Sequence, residues 1–320
     1  MIQRRKVGIV GTGHVGVAAA YALFIQGIAS ELVLVDVNQQ RAEGEAMDLM
    51  HGQTLVGSIY VHAGSYADLK DAQVVVLAAG VGQKSPDETR LELLNRNAAI
   101  FRDIIRELDT YAPGAILIIA TNPVDILTYV SQELSTRARH LIIGTGTLLD
   151  TARFRALLGR YYGVDPRSVH AYILGEHGDS EVPIWSNAHV GGLPILDRTV
   201  LGKPFDRAAM NQLFEQVRCA AYQIIERKGY TNTAIGVVIA RLVQAMLGDD
   251  RTVFPVSVRL NGEYGIRDVC LSLPCVIGFG GAESCVLPEL SEEEQEGLQK
   301  SAQILQSSLE QMRIEAAQLQ

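Results

Sequence analysis

The sequence lacks a basic surplus: 28 Lys and Arg stand against 36 Asp and Glu, a formal net charge of −8 over 320 residues. No run interleaves Lys, Arg and aromatic residues, so nothing presents a matching surface to a phosphate backbone, and nucleic acid is not an expected partner. Cysteine is scarce. Cys219, Cys270, Cys275 and Cys285 all fall in the last third, none in a CxxC pair or beside a histidine. That spacing offers no metal ligand set and predicts reduced thiols, packed as small hydrophobes, in a cytoplasmic protein.

Long uninterrupted apolar runs are also missing, with one apparent exception. The stretch 7–30 carries no Asp, Glu, Lys or Arg and follows the basic "RRK", as a signal peptide or a membrane span would. Glycines at 8, 11, 13 and 16 break it at its start, together with His14, and they fall in a pattern with its own mechanical explanation. No membrane association is expected. Internal repeats, low-complexity segments and linkers rich in Pro, Gly and Ser are absent too, which predicts two lobes sharing a broad interface.

What is present is regular alternation. "KVGIV" (6–10), "ELVLVD" (31–36), "IYVHA" (59–63), "QVVVLAA" (73–79), "AILIIAT" (115–121) and "HLIIGTG" (140–146) are short apolar strands separated by helical segments. Continuous apolar strands with helices between them mean a parallel sheet covered on both faces. After residue 147 the pattern changes to a helix (148–162), the strand "VHAYIL", a long helical region (206–248) marked by Gly229, and two β-rich segments, "TVFPVSVRL" and "DVCLSLPCVIG". A last helix is expected from Ser291, where Glu294 completes a capping box. The expected architecture is therefore α/β: a Rossmann-type doubly wound parallel sheet over residues 1–146, followed by a mixed α+β substrate lobe over 147–320.

The loop "GTGHVG" joins the first strand to a helix that Gly27 stops, and Asp36 ends the second strand twenty residues beyond Gly16. In such a unit Gly11 permits the tight turn, Gly13 lets backbone approach a pyrophosphate, and Gly16 lets the helix pack closely. The helix N-terminus, with His14 and Val15 in its first turn, favours phosphate charge. Asp36 can accept both ribose hydroxyls and repels a 2′-phosphate, so NAD is expected rather than NADP.

Downstream, "GTLLDTARFR" places Asp150 and Arg153 three residues apart on one helix face and turns Arg155 about 200° away from Arg153. His170 and His177 lie seven positions apart in "SVHAYILGEHGDSE". An odd spacing along a strand sends them to opposite faces, so one site cannot easily use both. His177 sits past the strand in a glycine-flanked turn from which an imidazole reaches a cleft, and with Asp150 and Arg153 it forms a hydride-transfer constellation. NAD-dependent glycosidases, which bind metal through Cys and His, would need a cysteine nearer the first lobe. A redox-sensing NAD-binding protein would not need Asp150, Arg153 and His177 together.

"GTGHVG", "TNPVD", "GTGTLLDTARFR", "GEHGDSE" and "KGYTNTAIG", in this order and spacing, resemble the L-lactate/L-malate dehydrogenase family over nearly the whole chain. Within it they look like bacterial L-lactate dehydrogenases, with an L-malate or broader L-2-hydroxyacid dehydrogenase as the alternative. The resemblance implies that His177 is the proton donor and acceptor, Asp150 its orienting carboxylate and Arg153 the clamp on the substrate carboxylate. It places Asn122 by the nicotinamide and the substrate oxygen, Thr231 on the substrate floor and Ile235 against the nicotinamide ring.

It also makes Arg90, in the polar segment 79–97, the residue of a closing lid that polarises the substrate carbonyl, and Gln83 the residue facing the variable end of the substrate. A second carboxylate buried against Gln83 would lack a counter-charge, which favours pyruvate and L-lactate. Counting back from Arg90 would instead put Lys84 there. Counting from the strand gives Gln83, with the additional Ser85 absorbed by the loop. Finally, "DTARFR" followed by "VHAYILGEHG" is similar to members activated by fructose 1,6-bisphosphate, which implies an effector site at Arg155 and His170 on a homotetramer.

Overall fold

The structure, a computed structural model, describes residues 5–82 and 90–318. The side chains of Arg90 and of residues 315–318 lie outside that description. Six strands, β1 (Lys6–Val10), β2 (Glu31–Val35), β3 (Tyr60–Ala63), β4 (Val74–Leu77), β5 (Ile116–Ile119) and β6 (Ile142–Gly144), form a parallel array in the order β3-β2-β1-β4-β5-β6. This is the doubly wound order, with the strand sequence reversing between β1 and β4. β4 and β5 read "VVVL" and "ILII" and are buried at every residue. Helices α1 (His14–Gln26), α2 (Gln39–His51), α3 (Arg90–Tyr111) and α4 (Val124–Leu134) accompany these strands. α1 starts three residues earlier than its apolar pattern suggests, at His14, so the glycine loop opens directly onto the helix. Its end is as expected: Gly27 is left-handed and its N–H returns to the Leu23 and Phe24 carbonyls.

The second half adds two features that the sequence pattern leaves open. First, its β-rich segments do not build a sheet of their own. β10 (Thr252–Asn261), β11 (Arg267–Gly278) and β12 (Gly281–Cys285) extend the first sheet beyond β6, antiparallel, to nine strands. β10 joins through Ser257 opposite Gly144, so the core runs unbroken between the halves. Second, the long helical region is three helices. α6 (Arg207–Arg218) and α7 (Ala220–Lys228) meet at Cys219, and left-handed Gly229 ends α7 before α8 (Thr233–Gly248). α8 packs along α1 with Gly236 against the Ala18 backbone, which brings the start of α8 beside the glycine loop.

α5 (Leu148–Tyr162) packs on a separate three-stranded sheet of β7 (Val169–Leu174), β8 (Val182–Val190) and β9 (Leu193–Pro194). Between them lies a second core built on Phe154, Leu158, Trp185 and Met210. α9 (Glu292–Gln318) begins with the expected box: Glu294 accepts the Ser291 N–H at 2.9 Å and its own N–H donates to Ser291 Oγ at 3.3 Å. Glu294 also accepts the Trp185 and Ser186 N–H groups at 2.7 and 2.9 Å, tying α9 to β8. No helix among the described residues is long and apolar enough to cross a membrane.

Candidate active site

The glycine loop has the geometry its spacing requires. Gly11 has φ +98°, and a Cβ there would meet the Ala79 nitrogen at 2.4 Å; one on Gly16 would meet the Gly11 carbonyl oxygen at 1.8 Å. Neither position admits a side chain. Gly13 is the opposite case, because a Cβ there would have nothing within 4 Å. The space above it is open. Gly13 caps α1 without any side-chain acceptor, and the first turn holds no acidic residue, so the turn begun by His14 and Val15 offers that space N–H groups with no partner among the described residues.

Asp36 accepts the Thr12 N–H at 2.6 Å, the Thr12 hydroxyl at 2.9 Å and the Asn38 N–H at 2.8 Å. Partial burial works against its charge. Those donors outweigh it and hold the carboxyl below the usual range, so it is ionised at neutral pH. A charged acceptor at the end of β2, an open backbone cradle and a free helix N-terminus fit the adenosine ribose and pyrophosphate of NAD.

Across the fold, three elements pin the loop after β7. Gly175 exchanges backbone hydrogen bonds with Ser272 of β11 at 3.1 and 2.8 Å. The Glu176 N–H donates to Ser301 Oγ on α9 at 2.8 Å, and the His177 N–H donates to Asp125 on α4 at 2.8 Å. The imidazole is thereby presented to a cavity of 1120 Å³, lined among others by Asn122, Asp179 and Glu181. His177 Nδ1 lies 2.6 Å from Asp150 Oδ2, and the other oxygen of Asp150 accepts from an Arg153 Nη at 2.7 Å. One carboxylate, only 4% exposed, thus holds a histidine and an arginine at once.

Burial opposes an imidazolium at His177. The Asp150 charge and hydrogen bond overcome it and push the pKa up to about 9. Asp150 is itself disfavoured as an anion by burial, but His177 and Arg153 keep it below the usual carboxylate range. Two further carboxyls complete the site, and the sequence alone marks neither. Burial pushes Asp125 up to about 6, against the pull of the His177 N–H. Glu181 is pushed up to about 9 by burial and then by the Asp150 charge, and its Oε1 has no hydrogen-bond partner among the described residues. Asp125 sits inside "TNPVD" and Glu181 inside "GEHGDSE", but nothing in linear spacing shows either to be buried.

The other expected site residues are placed as follows. Asn122 opens the turn into α4 on the rim of the His177 cavity. Thr231 lies in the link between α7 and α8, and Ile235 on the first turn of α8 packs against the main core. His14 stacks on Tyr230 with ring centroids 3.8 Å apart, closing that link over the glycine loop. Arg153 lines a separate cavity of 350 Å³ with Leu157, Gln223 and Arg227, and not the one that His177 lines. Arg155 turns to β7, where its Nε donates to the Ala171 carbonyl at 2.9 Å. Gln83, Lys84 and the Arg90 side chain lie outside the described residues; the Arg90 backbone begins α3.

A dinucleotide crevice at the switch point of a parallel sheet, with a carboxylate-bound histidine facing a cavity beside it, defines an NAD-linked oxidoreductase. Residues 5–144 match the lactate/malate dehydrogenase NAD-binding domain, and residues 147–316 match the α/β C-terminal domain of the same family. The chain belongs to the lactate/malate dehydrogenase family. It is 66% identical over 308 residues to an L-lactate dehydrogenase of Salinibacter ruber, covering 96% of this chain and 98% of that one. Against the L-lactate dehydrogenase of Thermus aquaticus it is 48% identical, covering 95% and 98%. Among solved structures, the minor L-lactate dehydrogenase from Enterococcus mundtii in the ligands-bound form superposes with a TM-score of 0.93 at 43% identity, over 96% of this chain and 98% of that one.

Proposed function

We propose that the chain is an L-lactate dehydrogenase, interconverting pyruvate and L-lactate with NAD. The observation that carries this is the Arg153–Asp150–His177 chain of hydrogen bonds, whose histidine lines the 1120 Å³ cavity. Bound NADH supplies the hydride. His177, held as imidazolium with Nδ1 toward Asp150, turns Nε2 to the substrate oxygen and donates the proton that the forming alkoxide needs; in lactate oxidation the neutral ring takes it back. Arg153 binds the substrate carboxylate with the guanidinium nitrogens that Asp150 does not occupy. Asn122 orients the carbonyl, Thr231 floors the substrate, Ile235 backs the nicotinamide, and Gly11, Gly13, His14, Val15, Gly16 and Asp36 hold the rest of the cofactor. Burial and the Asp150 charge disfavour the ionised form of Glu181 beside His177. On the family resemblance, Arg90 polarises the carbonyl and Gln83 meets the methyl end of pyruvate. The division into a cofactor lobe (1–146) and a substrate lobe (147–320), cytoplasmic residence and a homotetramer belong to the same proposal.

The deciding experiment compares pyruvate with oxaloacetate at saturating NADH. An oxaloacetate carboxylate facing Gln83 has no counter-ion, and an unpaired buried charge costs several kcal/mol, so kcat/KM should favour pyruvate by about 10²–10³-fold. A preference for oxaloacetate would replace the lactate assignment by malate. Gln83→Arg should narrow the difference.

Activation by fructose 1,6-bisphosphate is supported by the outer face of β7. His170 is exposed and Tyr172 half-buried on the same alternating face, and the Arg155 guanidinium lies 5.1 Å from the centre of the Tyr172 ring. Arg155 and His170 are thus turned away from His177 and towards one surface, where a two-fold axis would double them into a site for a bisphosphate. The effector should lower the KM for pyruvate by about 5- to 100-fold, a typical coupling. Arg155→Gln combined with His170→Ala should abolish the shift; an unmoved wild-type curve, or a double variant that still responds, removes the effector site.

A further inference from the structure

Two of the cysteines expected to pack as small hydrophobes meet across neighbouring strands. Cys275 of β11 and Cys285 at the end of β12 are register partners, and their Sγ atoms are 3.2 Å apart. The surrounding backbone decides what they can do. The Val286 N–H donates to the Pro274 carbonyl at 2.7 Å, which makes the cysteines a non-hydrogen-bonded pair, the close-spaced position of an antiparallel ladder. Opposite Cα atoms there are about 4.5 Å apart, within the span that a disulfide tolerates. Pro274 has no N–H to return, so one ladder bond, not two, flanks the pair on that side. Closing the sulfurs to about 2.05 Å needs side-chain rotation and no change of register.

The two thiols are unequal. Cys275 is fully buried, whereas Cys285 is half-buried on the outermost strand of the sheet. The contact between the two thiols, in which either sulfur can donate, draws Cys285 below its ordinary range, and together with burial it pushes Cys275 up. Reactivity follows thiolate character and access, so Cys285 is the attacking sulfur and Cys275 the resolving one. The remaining cysteines differ. Cys270 is buried against Gln132 with its thiol pushed well up, chiefly by burial, and Cys219 lies at the junction of α6 and α7.

We propose that Cys275 and Cys285 form a redox modification site that small-molecule disulfides, glutathione disulfide being the test case, convert to an internal cross-strand disulfide. The Cys285 thiolate attacks one sulfur of the reagent, forming a mixed disulfide and releasing one thiolate. Cys275 then gives its proton to solvent and attacks the Cys285 sulfur, expelling the second thiolate. Two protein thiols are oxidised and one reagent disulfide is reduced to two thiols. The product fastens the edge strand β12 to β11.

The test uses the intact folded chain and glutathione disulfide, followed by unfolding, thiol titration and peptide mapping. The four titratable thiols of the wild type should fall to two, with a mass loss of about 2 Da and a linked Cys275–Cys285 peptide pair. In Cys275→Ser the resolving step is gone, so a glutathione adduct should accumulate on Cys285. In Cys285→Ser the buried Cys275 should stay free. Retention of all four thiols in the wild type, a link through Cys219 or Cys270, or an adduct on Cys275 in place of Cys285 would each overturn the assignment.

Discussion

Asp150→Asn should lower the turnover of pyruvate reduction by about 10²–10⁴-fold, the usual range for disabling acid–base catalysis, while leaving NADH affinity near that of the wild type. The carboxylate accepts from both His177 Nδ1 and Arg153 at 2.6 and 2.7 Å, and an amide can present only one acceptor oxygen to two donors. One partner must then lose its bond or face an N–H. The pH profile carries a second signature. With His177 at about 9, reduction in the wild type should hold through neutral pH and fall as pH rises past that value, while lactate oxidation, which needs the neutral ring, should rise over the same interval. Without the Asp150 charge and hydrogen bond, burial is opposed only by the nearby Asp125 and Glu181 carboxyls, and the decline of reduction should move to lower pH. Stopped-flow turnover across pH, with NADH binding followed by fluorescence, measures both. A rate near wild type with an unmoved profile would take Asp150 out of the mechanism.

Arg153→Leu should reduce kcat/KM for pyruvate by about 10²–10⁴-fold, the equivalent of the 3–5 kcal/mol lost when one partner of a buried ion pair is removed. Two losses combine. The substrate carboxylate forfeits a fork of N–H donors, and Asp150, which is buried, forfeits the cation that shares its charge with His177. Arg153→Lys should recover only part of the loss, because an ammonium cannot hold Asp150 and a carboxylate in one plane. The loss should appear chiefly as a raised KM, with NADH binding unchanged. Steady-state kinetics over a wide pyruvate range reads it, and an unaltered KM would assign the clamp to another residue.

Much of the cofactor lobe was legible in the sequence because its signals are local. A strand, a Gly-x-Gly-x-x-Gly turn, a helix stopped at Gly27 and an acid at the end of the next strand all depend on residues within about 30 positions, where periodicity and backbone sterics act directly. The Ser291–Glu294 box and the divergence of Arg153 from Arg155 follow from helix geometry in the same way. Family motifs added roles to His177 and Asp150, 27 residues apart, that spacing alone does not join.

The tertiary structure decided whatever depends on which distant surfaces come together. The segments 252–260 and 268–278 read as strands, but only pairing showed that they continue the parallel sheet through Ser257 and Gly144. Asp125 and Glu181 became members of the site because long-range packing strips their carboxyls of water beside His177, a consequence of burial that no linear pattern encodes. The four cysteines looked alike in the sequence. An antiparallel register then set Cys275 against Cys285, because cross-strand partnership is fixed by the fold of the whole edge and not by either residue's neighbours.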